Sequence, residues 1–147
     1  EDDSWEQMSN FPGEPRTAAV SCTDSNHYFY GLGGGNRSDW WEYFPEADKW
    51  EKRSSMPGKG RVNAIAFSIN HRFFIGTGRH MGGSLTTGQF FNDIMEYDVL
   101  KDVWYKRGTI PTVGRENAIA FVLSNKAFIG FGETDEIIFN DLWSFEP

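Results

Sequence analysis

Three tryptophans, Trp5, Trp50 and Trp104, each open the same succession of landmarks. Seven residues on lie Pro12, Pro57 and Pro111, and eleven on lie Arg16, Arg61 and Arg115. Twenty-six and twenty-eight residues on lie Gly31 and Gly33, Gly76 and Gly78, Gly130 and Gly132. Offsets that match three times without a gap make this chain an array of one supersecondary unit, because a fixed period is the mark of repeat architectures. Beyond Gly-x-Gly the units differ in length. They resume at Asp39, Asp93 and Asp141, each four residues before an aromatic: Tyr43, Tyr97 and Phe145. The segments of variable length, 34–38, 79–92 and 133–140, belong on loops, where insertions are tolerated.

Within each unit the apolar residues fall in short runs. The first run is Ala18–Val20, Ala64–Phe67 and Ala118–Phe121; the second is Tyr28–Tyr30, Phe73–Ile75 and Ala127–Ile129. Small polar turns such as 23–26 and 124–126 separate them. Runs this short, rich in aromatic or β-branched residues and bounded by turn residues, predict strands. A third strand follows each repeated Asp, and its alternation predicts one buried face. A fourth starts at each repeated Trp and ends before Ser9, Ser54 or Gly108. No stripe of helical period occurs, so the chain reads as all-β.

Four short strands in a unit of roughly 50 residues describe one blade of a β-propeller. Small residues in the first strand, Gly-x-Gly ending the second, an aromatic in the third and a Trp opening the fourth resemble the kelch repeat. The resemblance covers essentially the whole chain. Gly-x-Gly stands where kelch repeats usually carry Gly-Gly, a variant similar to bacterial and often exported members. It implies a kelch-type propeller of three four-stranded blades, repeats 5–49, 50–103 and 104–147. Recurrent Trp5, Trp50, Trp104, Gly31, Gly33, Gly76, Gly78, Gly130 and Gly132 are then structural.

Three blades do not close, since propellers have about 4–8. The last unit lacks its outer strand, while residues 1–8 have the sequence of one, in register with the end of the chain. Two arrangements follow. Two copies pair head to tail into a six-bladed ring, the favoured expectation, or the sequence is a slice of a longer propeller. Either leaves open strand edges on a lone chain.

In kelch propellers the variable segments and the connections between blades project from one face. The resemblance therefore places Arg37, Arg79, His80, Glu133, Phe90 and Phe91 there, with Arg16, Arg61 and Arg115 nearer the axis. Recurrent arginines suit bidentate contacts to carboxylates of a ligand. Because they recur in every unit, bracing of adjacent blades is the favoured role. The insertion 79–92 occurs once, and its Met81-Gly82-Gly83 and Thr86-Thr87-Gly88 suggest mobility. His27, His71 and His80 are expected to lie apart, and no catalytic set, metal or cofactor is expected. Glu133 and Asp135 are acid/base candidates that read better as solvated loop acids. Cys22 reads as a buried small residue, although kelch copper oxidases use a Cys-linked Tyr, and Asn36-Arg37-Ser38 fits a glycosylation sequon.

Composition narrows the rest. A formal charge of -7 argues against general affinity for nucleic acid or anionic lipid, and no apolar run approaches the roughly 18 residues of a membrane span. A single cysteine excludes an internal disulfide framework. The expectation is a non-catalytic module binding protein or carbohydrate, with a second copy of itself or the rest of a longer propeller as partner. A sugar-acting enzyme, epimerase or oxidase, and a structural subunit are the alternatives.

Overall fold

The computed structural model describes residues 3–83 and 88–147. They form an all-β chain with a single 3-10 turn at Pro45–Ala47. The first sheet is an antiparallel run of β1 (Val20–Thr23), β2 (Tyr28–Gly31), β3 (Trp40–Phe44) and β4 (Lys49–Arg53). The second sheet holds β5 (Ile65–Ile69) and β6 (Arg72–Gly76), then β9 (Asp93–Asp98) and β10 (Val103–Thr109). Between β6 and β9 the insertion forms its own ribbon of β7 (Arg79–His80) and β8 (Gln89–Phe90). The third sheet has three strands among the described residues, β11 (Ile119–Leu123), β12 (Lys126–Gly130) and β13 (Leu142–Phe145).

Turn chemistry sets these strands. Asn70-His71 and Ser124-Asn125 both sit at positive φ, between 50° and 60°, which matches the two-residue hairpin turns whose twist suits a twisted sheet. The two glycines of Gly-x-Gly do different jobs. A side chain on Gly31 would strike the Asp39 carbonyl and the Trp40 ring, so β3 can approach only a glycine. Gly33, Gly78 and Gly132 have φ of 95°, 90° and 82°, a region glycine enters freely. In the first unit the strand starts later than expected. Ala18 has φ 54°, as Asn63 and Asn117 do at the same place, so β1 begins only at Val20.

The sheets stack side by side: β5 packs against β1 on one side and β11 on the other. One apolar layer lies between the first and second sheets, with Phe29, Trp40, Phe73, Ile75 and Tyr97 at its centre. A second lies between the second and third sheets, with Ile65, Phe67, Phe74, Ile94 and Ile129. Successive residues of β6 point to opposite layers, so Phe73, Phe74 and Ile75 are all fully buried. Burying each such side chain contributes about 1.5–3 kcal/mol.

Residues 3–19 hold no strand. Phe11 nevertheless packs edge-on to Tyr30, Trp41 and Trp50, at 5.0, 5.4 and 5.2 Å between ring centres, and covers the face of the first sheet turned away from the second. Ahead of it, residues 3–8 have no edge to pair with, and Trp5 is 98% exposed. Glu1 and Asp2, at the start of the expected outer strand, lie outside the described residues.

Candidate functional site

The connections that bring each unit to its first strand carry Arg16, Arg61 and Arg115, and all three guanidiniums are ion-paired inside the chain. Arg61 donates to both carboxylate oxygens of Asp93 at 2.6 and 3.1 Å and to the Thr77 carbonyl at 2.9 Å. Arg16 makes the same set with Asp39 and the Leu32 carbonyl, and Arg115 with Asp141 and the Phe131 carbonyl. Those carbonyls come from the middle residue of each Gly-x-Gly, held at φ 55° to 58°. An aromatic ring covers each guanidinium: Phe11 at 5.0 Å, Phe91 at 3.9 Å and Phe139 at 3.8 Å. Arg115 and the Trp143 indole hold the Asp141 carboxyl down at about 2, against the opposing effect of burial. Burial would raise Asp39, but Arg16 and Trp41 prevail and lower it. Forked, covered and charge-paired, these three side chains are buried almost completely.

Arg61 and Arg115 also reach across sheets. The Gly33 amide donates to the Arg61 carbonyl at 2.9 Å, and the Gly78 amide to the Arg115 carbonyl at 2.7 Å. Each arginine therefore gives its backbone to one sheet and its side chain to the next. Two of the repeated tryptophans add bonds of their own, Trp104 at the first of these junctions and Trp50 on the outer side of the first sheet. The Trp50 indole donates to the Ser9 carbonyl and the Trp104 indole to the Ser54 carbonyl.

The variable segments meet where these connections run. The amide of Asn36 bonds both the carbonyl and the N–H of Met81, joining the first segment to the insertion. Arg79 then joins the insertion to the third unit, donating to both oxygens of Asp135 at 2.7 and 2.9 Å and to Glu116 at 3.3 Å. Phe90 lies beneath Arg79 at 4.7 Å, and His80 Nδ1 is 2.7 Å from the Gly60 carbonyl. Asn63 donates to Glu116 and Asn117 to Glu133, so two carboxylates and two amides line up beside the Arg79 fork. An open cleft of about 240 Å³ lies against Phe90, Thr134 and Asp135. Another of about 340 Å³ follows Gly35–Asp39 with Lys52, and Arg37 sits on its wall. The structure thus brings Arg79, His80, Glu133 and Phe90 to the insertion and its immediate neighbours and leaves Arg37 on the wall of a separate cleft, while Phe91 is turned under Arg61. Asp135, expected as a solvated loop acid, is the ion-pair partner of Arg79. Thr86-Thr87 of the insertion lies outside the described residues.

At the opposite ends of the strands the structure corrects one expectation. His27 and His71 do converge, because packing the first hairpin turn against the second brings both to Asp24, His71 Nδ1 at 2.7 Å and His27 Nδ1 at 3.3 Å. Burial pushes the Asp24 carboxyl up, but the Asn26 and His27 amides and the His71 ring outweigh it and hold the group at about 2. A cleft of about 420 Å³ opens beside His71, Arg72 and Glu96. Buried Glu42 accepts from Arg53, and buried Glu96 from Arg72 and Arg107. These pairs escaped notice, although the signal was there: Glu42 and Glu96 each follow the repeated Asp by three residues, and Arg53 and Arg107 each follow the repeated Trp by three. Cys22 is buried, and burial pushes its thiol up to about 12, which leaves it unreactive. Among the described residues no group of three His, Cys, Asp or Glu side chains is placed to hold a metal ion, and no helix is long and apolar enough to cross a membrane.

No protein-family model and no curated protein sequence matches the chain. Among solved structures the chain is similar to that of YjhT, with a TM-score of 0.82 and 21% identity over 95% of this chain. The match takes in 51% of YjhT, so this chain spans about half the length of that protein. At this identity the likeness is one of fold: successive antiparallel sheets packed face to face, in an all-β chain.

Proposed function

We propose that the chain is part of a kelch-type β-propeller and serves as a non-catalytic interaction module, holding a protein or carbohydrate ligand on the face formed by its variable segments. The propeller reading is supported by the recurrence of Trp, Pro, Arg and Gly-x-Gly, by two four-stranded antiparallel sheets followed by a three-stranded one, and by the likeness to YjhT. The binding reading rests on one observation. The charged groups that recur in every unit are locked inside, whereas those present once, half-buried Arg79 and exposed Asp135 over buried Glu116, converge between the insertion and the third unit. Unrepeated polar groups on loops over a rigid repeated scaffold are where binding specificity usually resides. Carboxylates and amides side by side can donate to and accept from the hydroxyls of a sugar or the backbone of a peptide.

Amide chemical shifts followed during titration with a hexuronic acid, a neutral disaccharide and a mixed-charge peptide test this reading. Shifts should move at 79–80, 88–90 and 133–138, and Arg79→Ala should weaken binding about tenfold. Shifts confined to the Asp24–His71 cleft would move the site to the other side of the sheets. A chemically altered sugar recovered from the same samples would overturn the non-catalytic reading.

A further inference from the structure

The first unit departs from the other two just ahead of its repeated Asp. Two residues before Asp93 and Asp141 stand Phe91 and Phe139, and each ring covers the recurrent arginine of its own unit. Two residues before Asp39 stands Arg37 instead, and the cover on Arg16 comes from Phe11. The next residue differs as well. Asn92 donates its side-chain amide to the Ile110 and Thr112 carbonyls at 3.2 and 2.7 Å, fastening the connection that leaves β10. Ser38, at the same place, carries no such amide, and the contact there is the backbone bond from Met56 to the Ser38 carbonyl at 2.8 Å. The open cleft of about 340 Å³ lies here, with Arg37, Ser38, Lys52 and Ser55 in its lining.

Charge singles out the same place. Every other arginine of the chain is ion-paired to a carboxylate. Among the described residues the Arg37 side chain has no ion pair and no hydrogen bond, and its Nε is enclosed without a partner. Asp39 feels the Arg37 charge, but its two oxygens are already taken by Arg16 and the Trp41 indole. Lys52 lies across the ladder from Trp41, its Nζ 5.8 Å from the ring centre, and has no carboxylate partner among the described residues. In a chain of formal charge -7, two cations left without acids at one cleft make a local positive spot. Enclosing part of a guanidinium without a partner costs free energy, which a bound anion would offset. The wall is also held in place. The Asn36 side chain is fastened to Met81 by two bonds, the Arg37 amide donates to Gly33, and the Arg37 carbonyl accepts from Arg61. A site fixed in this way loses little freedom on binding.

We infer that this cleft binds a phosphomonoester, with Arg37 as its forked donor, Lys52 as its second charge and the Ser38 and Ser55 hydroxyls as further donors. A carboxylate offers one charge and two oxygens, which a single guanidinium satisfies. Two unpaired cations and two hydroxyls match instead the charge of about -1.5 to -2 and the three oxygens that a phosphomonoester presents at neutral pH. No aliphatic or aromatic residue lines the cleft among the described residues, so the phosphate carries the affinity. That group can belong to a sugar phosphate or to a phosphoserine in a peptide. The cleft is separate from the one beside Arg79, and the inference stands whether or not that one is occupied.

Titration of the 147-residue chain with inorganic phosphate, glucose 6-phosphate, a phosphoserine peptide and glucuronate, followed by amide chemical shifts, tests it. Shifts at 35–38, 52 and 55 should move with all three phosphates below about 10 mM, and with glucuronate at least about tenfold more weakly. Arg37→Ala should weaken the phosphates about tenfold or more and leave the melting temperature unchanged, since that side chain pairs with none of the described residues. Arg37→Lys keeps the charge without the fork and should recover only part of the loss. Arg79→Ala should change nothing here, so failure at the other cleft is told apart from failure at this one. Raising salt from about 0.05 to 0.5 M should weaken binding severalfold. Tighter binding of glucose 6-phosphate than of the peptide upholds the inference with a small molecule as the source, and the reverse upholds it with a protein. Glucuronate as tight as phosphate, shifts that leave 35–38, 52 and 55 unmoved, or Arg37→Ala binding like the natural chain each overturn it.

Discussion

The second and third sheets start from nearly the same strand and treat it in opposite ways. β5 reads Ile65-Ala66-Phe67-Ser68-Ile69 and β11 reads Ile119-Ala120-Phe121-Val122-Leu123. Ile65, Phe67 and Ile69 are 4%, 5% and 3% exposed, whereas Ile119, Phe121 and Leu123 are 49%, 45% and 64% exposed. Both phenylalanines stack on the neighbouring strand at 5.2 Å, on Phe74 and on Phe128. Only Phe67 gains a ring from the next sheet, Phe145 at 6.3 Å. Nearly identical local chemistry thus yields a buried or an exposed side chain according to whether another of the described sheets lies against it. In a stacked array burial belongs to the junction and not to the unit.

The largest effect should come from breaking that contrast directly. Phe67→Ala should cost about 4 kcal/mol in denaturant unfolding, while Phe121→Ala should cost less than about 1 kcal/mol in dilute single chains. Equal losses would mean that the third sheet is already covered when alone. Next, Arg61→Met should cost about 3 kcal/mol, because it strands Asp93 against a junction built around a guanidinium. Adding Asp93→Leu should recover part of the loss, and a double variant no better than the single would refute the pairing as the cause. The smallest effect concerns acid. Asp24 ties the first turn to His71 of the second, while the third sheet places Ser124 and Asn125 at its turn. A carboxyl held at about 2 against an ordinary 3.8 adds stability that is fully present above pH 4 and lost as pH falls toward 2. The stability gap between the natural chain and Asp24→Asn should therefore be flat above pH 4 and close below it. A gap unchanged at pH 2 would remove Asp24 from the account.

Most strands were legible because their cues are local. The Asp-to-aromatic spacing located β3, β9 and β13, and the Gly-x-Gly ends fixed β2, β6 and β12 within a residue or two. Ala18 misled because alanine looks like strand interior, while the left-handed turn it occupies is obvious only at Asn63 and Asn117. The insertion read as a mobile loop, yet Arg79-His80 and Gln89-Phe90 pair as a ribbon. Contacts between units were the harder part. His27 and His71 meet at Asp24 from different sheets, and Arg79 reaches Asp135 across 56 positions. Such meetings depend on how sheets are rotated against each other, which no spacing within a unit encodes. The recurring arginines differ, since each finds its Asp within its own repeat, a pairing that the constant spacing within the first part of the unit did not announce.

That arrangement has a mechanical side. Arg61 is fastened by its backbone to one sheet and by its guanidinium to the next, and Arg115 repeats the device one junction along. Peeling the array from an end must part the backbone bonds to an arginine that its own ion pair holds rigid, together with an apolar seam, in a single stroke. Load is passed from module to module through these two residues. Under tension the material should yield in abrupt steps the size of a whole sheet and resist gradual fraying.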